Sequence, residues 1–198
     1  MRRQIDIAIT PGACVGMALL LLILPLRWVL AAVLAATVHE CWHYLALRLC
    51  GGTVYRIRVG LGKTVMETEP LQGVKELVCA AAGPLGSFSL LLFARFLPAT
   101  AICALVQGAF NMIPVIPMDG GRIMRYMLDL LFPYSGVRAA NIVEWCILTL
   151  IFGGCLYVGF RLQVWFLLFA ILPVVVGKLH YEKNTLQRIE REGTIEIH

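Results

Sequence analysis

Five residues inside an apolar run carry the means for hydrolysis: His39-Glu40-Cys41-Trp42-His43. On a helix, positions i and i+4 share a face, so His39 and His43 can bind one metal ion from the same side. Glu40, next to the first imidazole, can accept a proton from a water that attacks a substrate carbonyl. The pattern is short and recurs by chance; its bland alternative is a hydrogen-bonded His and Glu cluster without metal. The surroundings favour the metal. An ionisable side chain at the bilayer centre costs roughly 2.5–3.5 kcal/mol on insertion scales, and three fall within five positions of this run.

Tetrahedral zinc held by two imidazoles still needs one protein ligand and one water. A candidate for the third ligand is Asp119, in the stretch Asn111-Met112-Ile113-Pro114-Val115-Ile116-Pro117-Met118-Asp119-Gly120-Gly121. The prolines restrict the local backbone and the glycines permit close approach of other elements. The alternative is that Asp119 N-caps the helix that follows. From the residues alone that alternative carries the greater weight.

The elements that must position these groups are set by hydropathy. The chain has 198 residues, 60% hydrophobic and 15% charged, against roughly 45–50% and about 25% in soluble domains. A spanning helix needs about 20 mostly apolar residues. Apolar runs fall at about 8–26, 28–49, 74–97, 99–116, 139–159 and 162–177. Arg27 separates the first two, and Gly83-Pro84 breaks the third near its start. The expected architecture is therefore an all-α polytopic membrane protein of about six transmembrane helices. Between the second and third runs, Val54, Arg56 and Arg58 alternate with Tyr55, Ile57 and Val59, and Gly60-Leu61-Gly62 follows. That pattern predicts a short β-hairpin at 53–70 on the cytosolic side, with a plain amphipathic loop as the alternative. Residues 118–138 suit a loop and a short surface helix, and 178–198 a charged tail. The chain is read as one membrane-embedded domain, 1–198, with a catalytic core at about 28–128, two further helices at about 139–177, and that tail.

The net charge of +5 is not a nucleic-acid signature, because the basic residues sit in short loops between apolar runs. Six spans put both termini on one side of the bilayer. Of the 17 Lys and Arg residues, Arg27, Arg95 and Arg161 fall on the far side and the other 14 on the near side. That asymmetry places the near side, with both termini, in the cytosol. Arg2 and Arg3 before an apolar run resemble a signal peptide, but no clear cleavage site follows, so the run is read as a retained span. Seven cysteines, most of them in apolar runs and none in a CxxC pair, read as small buried hydrophobes.

Together the two motifs carry a resemblance. An HExxH in a membrane span, followed some 70 residues later by N-x-x-P-x-x-P-x-D-G-G, resembles the site-2 protease family (peptidase family M50) of intramembrane zinc metalloproteases. The short plan most resembles the branch that processes a pro-sigma factor in sporulation. The resemblance implies that His39, His43 and Asp119 ligate Zn2+, that Glu40 is the catalytic glutamate, and that Asn111 helps hold the substrate strand. Ala82-Gly83-Pro84 resembles the family's third-helix motif, with Ser87 where an Asn is usual. Insertions of PDZ size and a nucleotide-binding CBS domain, frequent in the family, have no counterpart here.

The expectation is a multi-pass protein of a bacterial cell membrane. It would cleave a membrane-embedded or membrane-tethered protein near the cytosolic face. Its partners would be that substrate, the lipid bilayer and a regulatory membrane protein, with no nucleic acid. His39 lies about 15 Å below the cytosolic end of its run, at 1.5 Å per residue, so water must reach it through a polar cleft. A helical substrate must unwind there, and an edge of the 53–70 hairpin could receive the extended strand. Glu144 is expected to pair with Arg138 or Arg125, with a supporting role behind the metal site or as a gate as the alternative, and His180 and His198 to be solvated. Two competing functions are a metal-ion transporter, disfavoured by the lack of internal repeats, and a catalytically silent scaffold, disfavoured by the intact Glu40.

Overall fold

The computed structural model describes residues 6–60, 63–68, 71, 73–163, 172 and 174–183. The chain forms two compact units, Met1–Asn111 and Met112–His198. The described part is mostly helical with one small sheet.

The first unit opens on a strand that was not expected, β1 (Asp6–Ile9). Helix α1 runs only from Pro11 to Ile23. Thr10 caps it, its side chain accepting from the Ala13 amide, and Pro11 sits in the first turn, where its missing N–H costs nothing. The helix stops at Leu24, which is extended because Pro25 follows. The expected span at 8–26 is thus a strand plus a helix of 13 residues, about 20 Å long. Arg27 does not interrupt anything: it lies in the first turn of α2 (Leu26–Leu49), and the break is at Leu24-Pro25.

The hairpin after α2 is present as β2 (Val54–Gly60) and β3 (Lys63–Thr68), paired antiparallel. β1 adds to it in parallel, with Asp6 opposite Arg56 and Ile9 opposite Val59, giving the order β1-β2-β3. Arg56 Nε donates to Asp6 Oδ2 at 2.8 Å, and Arg58 pairs with Glu67 at 2.9 Å. β2 is therefore covered on both sides; among the described residues the sheet's two outer edges belong to β1 and β3.

Helix α3 (Val74–Ser89) passes through Gly83-Pro84 without breaking and ends in a 3-10 turn, Leu90–Phe93. Helix α4 covers Pro98–Asn111, shorter than the expected run at 99–116, because the chain turns at the prolines beyond Asn111. Helices α2, α3 and α4 pack against one another. A core of Ala46, Leu47, Val54, Cys79 and Ala82 joins α2, α3 and the sheet.

In the second unit, α5 (Asp119–Leu131) is the expected short helix and α6 (Gly136–Leu162) the long apolar one. They pack together, and Val115, Leu148 and Val174 form their buried core. Residues 174–183 are helical. Lys178, expected to open a solvated tail, is buried in that segment, whereas His180 is exposed. His198 and most of the run at 162–177 lie outside the described residues.

Three described helices are long and apolar enough to cross a membrane: Leu26–Leu49, the helix and turn over Val74–Phe93, and Gly136–Leu162. Their many exposed large apolar side chains, such as Leu30, Leu92 and Leu150, suit lipid rather than water.

Candidate active site

The site begins with α2. His39 and His43 point to one side of that helix, as the four-residue spacing requires. His39 is 3% exposed, and the two imidazoles meet edge to face with centroids 4.8 Å apart. Their Nε2 atoms lie 3.2 Å apart.

Each ring is fixed from behind by α3. The His43 Nδ1 donates to the Cys79 carbonyl at 2.7 Å. A carbonyl can only accept, so His43 Nδ1 holds the proton and Nε2 presents its lone pair. The His39 Nδ1 lies 2.8 Å from the Ser87 hydroxyl, which is wholly buried. Both Nε2 atoms thus face the same point. Two nitrogens about 2.0–2.1 Å from a tetrahedral zinc ion would be about 3.3 Å apart, close to the separation found. The donor set and its spacing fit zinc, with His39 and His43 as two ligands.

Helix α3 comes this close because it carries no side chain at Gly83. A Cβ there would overlap the Nε2 atoms of both His43 and His39. At Gly86 a Cβ would strike the Trp42 ring. The two glycines let the helix backbone serve as the back wall of the imidazole pair.

Glu40 is half-buried on α2, next to His39. Asn111 ends α4, and its Nδ2 donates to the Gln107 carbonyl at 3.0 Å. Asp119 opens α5 in the second unit and is buried, at 8% exposure. The N-cap of α5 is Met118, so Asp119 is the first helical residue rather than the cap that the sequence suggested. Behind it, a Cβ at Gly120 would overlap the Met112 carbonyl, and one at Gly121 the backbone of Val115 and Ile116. The start of α5 is therefore seated on the Met112–Ile116 segment, and the Ile116–Pro117 bond is cis. Glu144 pairs with Arg125, one of the two partners expected.

Two supports were not foreseen. Ser87, where the resemblance would place an Asn, hydrogen-bonds the His39 ring. The Cys79 carbonyl is a backbone group and leaves no mark in the sequence. Outer partners of metal-bound His typically contribute 10–100-fold in affinity. Ser87→Ala is accordingly expected to weaken zinc binding about 10–100-fold, measured by competition with a chromogenic chelator. Unchanged affinity would remove Ser87 from any role in holding His39.

Comparison with known proteins places the chain among similar sequences and folds. Residues 70–153 match the family model for peptidase family M50. The chain is similar to zinc metalloprotease MJ0392 of Methanocaldococcus jannaschii, with 33% identity over 139 residues, which is 60% of this chain and 40% of that relative's own length. Among solved structures it is similar to the site-2 protease from Methanocaldococcus jannaschii, with a TM-score of 0.64, 23% identity and 91% of each chain covered. Residues 70–153 are thus similar to peptidase family M50, in a chain that has the fold of a site-2 protease.

Proposed function

We propose that this protein is a zinc-dependent intramembrane endopeptidase. The observation that carries the reading is the pair of Nε2 atoms 3.2 Å apart, each ring held by a hydrogen bond from α3. In this reading Asp119 supplies the third protein ligand, as its place in the N-x-x-P-x-x-P-x-D-G-G stretch suggests. A bound zinc ion would supply Lewis-acid polarisation of water and of the scissile carbonyl.

The chain's own residues do the rest. His39 and His43 present lone pairs in a fixed geometry. Glu40 takes a proton from the attacking water and returns it to the leaving amine, as a general base and then a general acid. Gly83 keeps the site narrow. Asn111 helps hold the substrate as an extended strand, and the open edge of β3 offers backbone groups to the same strand. The substrate is a membrane-embedded or membrane-tethered protein cut near the cytosolic face; a pro-sigma factor of sporulation is the class that the branch resemblance suggests. The reading includes about six spans and cytosolic termini in a bacterial cell membrane.

The test uses purified full-length protein in nanodiscs with membrane-tethered candidate substrates. Chelation should abolish cleavage and zinc should restore it. Asp119→Ala should lower zinc affinity by about 100-fold or more, as loss of one of three ligands implies. Zinc flux into sealed liposomes without any cleavage would replace the protease reading by a transporter.

A further inference from the structure

Glu144 of α6 and Lys178 of the helical segment 174–183 both have wholly buried side chains. Arg125 of α5 grips that carboxylate with a fork: Nε donates to Oε1 at 2.7 Å and Nη2 to Oε2 at 2.9 Å. The same Nη2 donates to Asn141 Oδ1 at 2.6 Å. Lys178 Nζ donates to Glu144 Oε2 at 2.5 Å and pairs with Glu182 at 3.0 Å. The Arg125 guanidinium also lies over the Tyr181 ring, 5.0 Å from its centroid. One carboxylate thus ties together α5, α6 and the helical segment 174–183.

A buried ion cluster is by itself weak evidence for stability. Well-packed apolar residues of similar volume do as well as or better than a buried ion pair. What the cluster provides is a unique geometry, since a planar fork on a carboxylate admits one orientation. Burial works against the Arg125 charge, and the hydrogen bond and charge of Glu144 outweigh it, holding its pKa above the ordinary value.

The helix being held is the one that begins with Asp119. Arg125 is six residues on, about 9 Å along a rigid helix at 1.5 Å per residue. Gly120 and Gly121 seat the helix start on the Met112–Ile116 backbone, and Arg125 fixes its rotation further along. We infer that Glu144 is a positioning residue: through Arg125 it sets the orientation of α5 and so of Asp119, and Lys178 makes that setting depend on the segment 174–183. The inference rests on the reading of Asp119 as a zinc ligand.

A double-mutant cycle on zinc affinity tests it, using full-length protein in nanodiscs. Glu144→Gln keeps the shape and removes the charge. It should weaken zinc binding about tenfold with Asp119 present, and no further in the Asp119→Ala background. Arg125→Lys, which keeps the charge and loses the fork, should give a smaller loss with the same dependence on Asp119; it serves if Glu144→Gln does not fold. Equal weakening in both backgrounds, or none in either, overturns the positioning role and leaves Asp119 as a ligand. If Asp119→Ala alone leaves affinity unchanged, the ligand reading falls and this inference falls with it.

Discussion

Glu40→Gln is expected to lower peptide-bond cleavage about 1,000-fold, inside the 10²–10⁴ range of a positioned general base, with zinc content unchanged. Glutamine has nearly the same shape and keeps its hydrogen-bonding oxygen, but it cannot take up a proton. The imidazoles that would hold the ion are fixed by Ser87 and Cys79 on α3, not by Glu40. Loss of activity should therefore come without loss of metal. The check is kcat on a reconstituted membrane-tethered substrate, with zinc per protein measured on the same sample. A Glu40→Gln protein that still cleaves at the wild-type rate would rule out proton transfer by this side chain. One that has lost its zinc would instead make Glu40 part of the metal site.

Gly83→Ala should be nearly as damaging, although alanine is the best helix former. The added methyl would land on both Nε2 atoms, one of them 2.7 Å away. Neither side yields easily. The imidazoles are tied at Nδ1, and α3 is packed along its length against α2 and α4. Displacing a reacting group by about 1 Å can cost about 100-fold in rate. Zinc affinity and kcat should both fall by about that factor. Gly153→Ala and Gly154→Ala in α6 are the controls, because a Cβ at either meets nothing within 4 Å. They should leave zinc binding as it is and not lower thermal stability, since alanine is the better helix former. Wild-type zinc affinity in Gly83→Ala would show that the helices have slack where the structure shows contact.

The parts of this protein that were legible beforehand are those written in local spacing. The four-residue spacing of His39 and His43 dictates a shared helix face, and the Nε2 atoms meet there. The alternating residues from Val54 and the glycine-flanked turn dictate a hairpin, and β2 and β3 form it. Charge narrowed the partner of Glu144 to Arg138 or Arg125, and the structure pairs it with Arg125. The illegible parts depend on partners distant in the chain. Residues 6–9 straddle the start of the apolar run at about 8–26 and carry no distinct strand signal; they become β1 because β2 offers them an edge. Pro84 signals a break, yet α3 continues through it, held by its contacts with α2 and α4. Lys178 looked like the start of a charged tail and is buried because Glu144 and Glu182 receive it. Helix ends shifted for local reasons that were readable, notably the extended Leu24 ahead of Pro25.

The parallel pairing of β1 with β2 gives the first described residues a duty fifty positions downstream. The Thr10 amide donates to the Val59 carbonyl at 2.9 Å, so the same junction that starts α1 also fastens the end of β2. Stripped of Asp6–Ile9, the remaining two strands would lose a neighbour and be held only by their packing on α2 and α3. Trimming or bulky fusion at the amino terminus would then loosen the β2–β3 ribbon while sparing His39 and His43, and affinity handles for purification belong at the carboxyl end.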